Sequence, residues 1–445
     1  MKKTLGVLCV WAALSSPTTA HAAVFYPESA TLANGLQVVV IQNKLSPAAV
    51  QMVWYKVGAA DDPQGRGGLA HFFEHMMFKG TAALPDGAYS EQIAAQGGDD
   101  NAFTSHDYTS YHEIVAADRL PLVMQMEADR MRGLILDDEK ASSELSVVKS
   151  ERQQRIDNHP QGLFGEKFRA ALFPAHPYGR PVIGSKEDLD RLTPADARAF
   201  YQKHYAPQNA ILVVSGNVEF ADVLRLAAAT FGRVEGNTAI TDRAPIQQNT
   251  PSSRGASDRI EMQDARVTQP MVMASVPAPS LNTNLRRSYA LEVLAEILGG
   301  GEVGLLYRHF VTDQKIASSA SVSYDPTARG PSSFSWSAVP SASTETRALE
   351  KQIKEWLAQK ASTGIDAATV ARAKQRLQDA AIFARDRLAA PAQIVGEALA
   401  VGIPLNELES WPQRIHSVTA AEVNAAFRDV MKSQGWVTGI LEPAK

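Results

Sequence analysis

The sequence predicts an α+β protein of two domains of similar fold. Three observations carry this: both halves mix strand-like and helix-like segments, the segments follow the same order in each half, and a polar stretch separates the halves. The stretch, 236–257, is rich in Thr, Gln, Ser, Asn and Pro and has no sustained apolar period, so it reads as a linker. It divides an N-terminal domain, 23–235, from a C-terminal domain, 258–445.

In the first half the apolar run Val50–Val57 reads as a strand. A Gly- and Asp-rich loop follows, then a helix beginning near Gly68. In the second half Pro270–Val276 reads as a strand, a Pro/Asn loop follows, and a helix runs from about Leu285 to Leu298. Both helices end near glycine, at Gly80 and at Gly299-Gly300-Gly301. Each half then returns to strand-like alternation, at Tyr108–Val115 and Ala320–Val339. Arg119–Leu134 and Thr344–Gln359 carry apolar residues at helical spacing.

The N-terminus stands apart. Lys2 and Lys3 precede an apolar stretch from Leu5 to Leu14, and Ala20-His21-Ala22 follows. A basic start, a short apolar core and an A-x-A site predict a secretory signal peptide, residues 1–22, too short to span a bilayer. Its removal takes the formal charge from −4 to −6, because two lysines and no acid leave. A mildly acidic protein has no general attraction for nucleic acid, and no membrane anchor is expected after cleavage. Cys9, the only cysteine, lies within the signal, so the mature chain forms no disulfide and any metal site uses His, Asp or Glu. These features predict a soluble product of a bacterial periplasm.

The chemistry centres on HFFEHMMFKG, which starts at His71. His71 and His75 are one helical turn apart and share a face, so both imidazoles can reach one ion. Glu74 projects toward the edge of that face. Phe72, Phe73, Met76, Met77 and Phe78 predict burial, where two unpartnered imidazoles would be costly. Two imidazoles, a carboxylate and an open position for water suit zinc, and a nearby carboxylate then serves as general base. For the third ligand, Glu144 and Glu151 lie two helical turns apart on one face, one fit to bind metal and the other to orient a ligand. Spacing alone does not single this pair out from the chain's other acids.

His71, Glu74 and His75 form an H-x-x-E-H signature, and Glu151 follows His75 by 76 residues with Glu144 seven before it. With GGDDNAFTSHDYTSYHEIV (97–115) and the segment 176–218, this resembles the family of pitrilysin, insulin-degrading enzyme and mitochondrial processing peptidase, the inverzincins. The resemblance covers nearly all of 30–232 and, more weakly, 258–440. It implies two homologous domains, each a mainly antiparallel sheet packed with helices, forming half of a clam-like chamber. It implies one Zn2+ per chain held by His71, His75 and Glu151, with Glu74 as catalytic base and Glu144 as supporting acid. It further implies that Asn101, Ala102, Phe103 and Thr104 form an edge pairing with an extended peptide. Apart from the resemblance, His112 lacks ligand spacing but is expected to face that substrate strand.

The second half departs from the pattern. Laid on the metal helix, Leu291, Leu294 and Ala295 stand where His71, Glu74 and His75 do, so no zinc is expected there. Many family members carry an Arg and a Tyr, seven apart, that stabilise the substrate oxyanion; the matching positions here are Val311 and Ser318. Arg308 and Tyr324 are near but wrongly spaced. The expectation is a metalloendopeptidase acting with a homologous partner subunit, as a heterodimer or a homodimer. The alternative is a non-catalytic scaffold or peptide-binding subunit. Relatives of that kind typically lose part of the metal motif, which this chain keeps whole.

Overall fold

The computed structural model describes residues 23–237, 240, 243, 246 and 259–444. The expected signal peptide and most of the linker lie outside the described residues. The first sheet contains β1 (Glu28–Thr31), β2 (Gln37–Gln42), β3 (Ala48–Tyr55), β4 (Asp99–Thr104), β5 (Thr109–Ala116) and β6 (Ala210–Gly216), in the order β1-β2-β6-β3-β5-β4. The second contains β7 (Arg259–Asp264), β8 (Met271–Ala278), β9 (Ala317–Tyr324), β10 (Ser332–Pro340) and β11 (Val437–Pro443), in the order β7-β11-β8-β10-β9.

Apart from β1, these are one topology used twice. In each sheet the first two of the five shared strands are parallel, β2 with β6 and β7 with β11. Every later pair is antiparallel. Helix Leu69–Met76 follows β3 as helix Leu285–Gly299 follows β8. Chance similarity of isolated strand-helix units does not reproduce a five-strand order and all its directions. The stretch Ala320–Val339, expected to alternate like a strand, is a hairpin of β9 and β10 with a loop from Asp325 to Pro331 between them. Proline supplies no ladder donor, so the pairing stops at Pro326 and resumes after Pro331.

Strands β2, β3 and β6 are buried almost throughout, because helices cover both faces of the first sheet. On one face the metal-motif helix, helix Leu120–Gly133 and helix Pro194–His204 enclose the main core of Phe72, Phe73, Met76, Tyr111 and Tyr205. Each buried Phe there contributes roughly 1.5–3 kcal/mol. On the other face Val39, Ile41, Val50, Met52, Trp54, Ile211 and Val213 meet Ala392, Val395 and Ala400, from helix Ala390–Ala400 of the second half.

That helix fits closely because Gly396 faces Trp54. A β-carbon at Gly396 would lie 2.0 Å from Trp54 Nε1. Gly396→Val should therefore force the helix off the sheet and cost about 2–3 kcal/mol, typical of overpacking. The midpoint of urea unfolding reads it directly; an unchanged midpoint would mean that the helix does not press on Trp54.

Candidate functional site

The metal-motif helix Leu69–Met76 has only eight residues and is too short to be stable by itself. Its environment holds it. Asp62 accepts the N–H of Gly68 at 2.8 Å and of Ala70 at 2.9 Å, satisfying donors that a helix start leaves open. Gly68 precedes the helix at φ +88°, and a β-carbon there would meet the Ile183 carbonyl at 2.5 Å. Only glycine fits both demands. Leu69, Ala70, Phe72, Phe73 and Met76 face the core, which leaves His71, Glu74 and His75 toward a cleft.

The second helix, Asp138–Arg152, starts on an Asp137 side chain that accepts two backbone N–H groups, and it runs on into a widened turn at Gln153–Asp157. Arg152 fixes its far end. The guanidinium grips Glu166 with two hydrogen bonds, at 2.7 and 2.9 Å, and also donates to the Gly184 carbonyl. Gly184 lies against Gly67 and Gly68. The residue after Glu151 is thus tied to the loop that abuts the start of the metal-motif helix. This tie brings two segments 76 residues apart to one place.

His71, His75 and Glu151 each present one ligand atom, all within 4.8 Å of one another. Glu151 Oε2 is 3.3 Å from His75 Nε2 and 3.7 Å from His71 Nε2. A tetrahedral ion with bonds of about 2.1 Å sets its ligands about 3.4 Å apart, so the spacing suits zinc. Glu151 Oε2 is buried with no hydrogen-bond partner among the described residues, as is His71 Nδ1. Burial, then the neighbouring His75, holds the His71 imidazole down at about 3, so it is neutral, the state in which it can bind a metal.

Around this triad the supporting contacts are specific. Glu144 Oε1 lies 2.9 Å from His75 Nδ1, and Lys79 Nζ lies 2.6 Å from Glu144 Oε2. Burial would raise the Glu144 carboxyl, but its bonds to His75 and Lys79 outweigh that and hold it below the ordinary range. Burial likewise opposes a charged His75, yet Glu144, Glu74 and Glu151 together raise it. Arg155 Nη1 holds the outer oxygen of Glu151 at 2.7 Å. Glu74 is raised by burial against the opposing hydrogen bond from the Thr104 hydroxyl to its Oε2.

The cleft is about 600 Å3 in volume, and Asn101, Ala102, Phe103 and Thr104 line it together with the triad, Glu74, Glu144 and Val147. These four belong to β4, which ends the sheet and pairs only with β5 among the described strands. Val147 is an exposed apolar residue in the cleft. His112 is not brought in. It pairs with Asn101 across the ladder and its ring lies 6.1 Å from that of Phe103, which packs on Trp54 in the core of the opposite face. The pleat that sends Thr104 toward Glu74 sends the His112 side chain the other way.

Lys79 and Arg155 escaped the sequence reading, as did the Thr104 hydroxyl as a partner for Glu74. The first two had a usable signal: each stands four residues after a motif member, His75 or Glu151, where helical neighbours meet. In the second half Leu291 and Leu294 are fully buried core residues. The Tyr324 hydroxyl is spent on the Pro279 carbonyl. No described helix is long and apolar enough to cross a membrane.

Comparison with known proteins agrees with this picture. Residues 37–186 match the family model described as insulinase (peptidase family M16), and residues 191–377 match that of the peptidase M16 inactive domain. The chain is 31% identical to the zinc protease PqqE of Helicobacter pylori over 75% of this chain and 74% of that protein. It is 27% identical to an uncharacterised zinc protease of Mycobacterium tuberculosis over 95% and 94%. Among solved structures, a protease from Helicobacter pylori superposes with TM-score 0.86 at 26% identity, covering 94% of this chain and all of the other. The periplasmic protease PqqL of Escherichia coli shares the fold at TM-score 0.76 and 19% identity, with this chain matching 47% of it. Two-fold use of one sheet topology, and domain models of one family matching in succession, lead to one conclusion: the chain belongs to the insulinase family of peptidases, M16.

Proposed function

We propose that the chain is a zinc-dependent endopeptidase acting on peptides or unfolded polypeptides. The observation that carries the reading is the convergence of His71, His75 and Glu151, with Glu74 beside them, in one cleft next to the free edge of β4. Zinc held by that triad supplies Lewis acidity, polarising a carbonyl and making water more acidic. The chain's own groups do the rest. The β4 edge offers backbone donors and acceptors to an extended substrate, which binds peptides of varied sequence. Glu74 takes the proton of the attacking water and passes it to the leaving amine. The Thr104 hydroxyl fixes the carboxylate that does so. Glu144 orients His75 through Nδ1, and Lys79 keeps Glu144 ionised.

We further propose that a homologous subunit supplies an Arg/Tyr pair to the substrate oxyanion, with the working protein exported to a bacterial periplasm after loss of residues 1–22. Val311 and Ser318 offer no such groups, and the Tyr324 hydroxyl is already engaged. The test is metal analysis and peptide cleavage by the purified chain, alone and with a homologous chain carrying the pair. One zinc per chain is expected, with cleavage about a hundredfold or more faster with the partner, the range of an oxyanion donor. Full activity of the isolated chain would overturn the partner. Absence of zinc would overturn the peptidase reading itself.

A further inference from the structure

A second cavity, of about 380 Å3, lies among the C-terminal helices and shares no lining residue with the metal cleft. Its walls are mostly apolar, with Phe25, Leu281, Leu377, Ile394, Ile403 and Leu408 among them. Two acids open into it, Glu292 from helix Leu285–Gly299 and Glu397 from helix Ala390–Ala400. Each is held by a neutral donor. Trp411 Nε1 donates to Glu292 Oε1 at 3.0 Å, and the Tyr108 hydroxyl donates to Glu397 Oε1 at 2.9 Å. Glu292 Oε2 is buried and has no hydrogen-bond partner among the described residues. Two arginines on neighbouring helices are engaged elsewhere, Arg376 with Glu296 and Arg414 with Glu407.

A buried acid without a cation is costly, and two facing one apolar cavity are more so. Burial, and then the nearby Asp325, pushes both carboxyls up to about 7. A small inorganic cation would answer the charge and leave the apolar walls bare. A neutral apolar ligand would fill the walls and leave Glu292 Oε2 unpaired. A molecule with both features answers both, and the cavity has the volume of a small-molecule site. We infer that this cavity binds an organic ammonium ion with an apolar body, its head between Glu292 and Glu397 and its body against the helices.

Calorimetric titration of the purified full chain tests this with three probes that share one apolar body: 2-phenylethylamine, 2-phenylethanol and 3-phenylpropanoate. The amine should bind once per chain, the alcohol about tenfold or more weakly, and the carboxylate not at all, as charge-assisted hydrogen bonds require. E292Q and E397Q keep the side-chain shape and remove a buried charge, so both should fold. Each should weaken the amine by about tenfold or more and leave the alcohol unchanged. Failure of the amine to bind, or equal binding of amine and alcohol by the natural chain, overturns the proposal without recourse to any variant. Amine binding untouched by both substitutions overturns it as well.

Discussion

Glu74→Gln is expected to reduce peptide cleavage by about a hundred- to ten-thousandfold, the share a general base contributes. Zinc content should stay at one per chain. The amide keeps the shape of the carboxylate and still offers an oxygen to the Thr104 hydroxyl, so the cleft is preserved while the proton acceptor is lost. Glu74 is not one of the three groups whose ligand atoms converge, which is why metal content and rate should separate. Steady-state cleavage of a fluorogenic peptide together with atomic absorption gives both quantities from one preparation. A variant with natural rate and natural zinc would remove Glu74 from the chemistry.

Glu151→Gln should do the opposite and strip the metal. The lost charge is the only anionic donor of the triad, and zinc affinity should fall by more than about a hundredfold, beyond the effect of a supporting residue. Folding without metal should change little, because the amide keeps the shape of the carboxylate and its remaining oxygen can still accept from the largely exposed Arg155 guanidinium. Calorimetric melting shows the difference. At a free zinc concentration one hundred times the dissociation constant the natural chain gains about 2.7 kcal/mol over its EDTA-treated form, whereas the variant gains almost nothing. If the variant melted like the natural chain in zinc, Glu151 would not be a ligand.

The helix at His71 was legible because Phe72, Phe73 and Met76 fix its buried face, which leaves the histidines on the other. The repeat was legible in the order of elements, and its physical basis is the pairing of strands, which no local pattern contains. Glu151 was reachable only through family resemblance. Its approach to His75 depends on Arg152 holding Gly184, a contact across 32 residues that no helical period encodes. His112 shows a related limit: alternation tells which residues share a face, but the face that meets the cleft is set by which helices pack on it. The role of Gly396 was likewise invisible, since Trp54 is distant in sequence and helix Ala390–Ala400 reads as an ordinary apolar helix.

That helix has a consequence for biogenesis. It belongs to the second half, yet it covers the back of the first sheet. Residues 39–54 leave the ribosome long before residues 390–400 exist, a delay of roughly 20–70 s at usual elongation rates. Throughout that time the nascent N-terminal half carries a bare apolar surface around Trp54. A holdase chaperone has a defined surface to shield during that interval, and a chain truncated before residue 390 is expected to keep that surface uncovered.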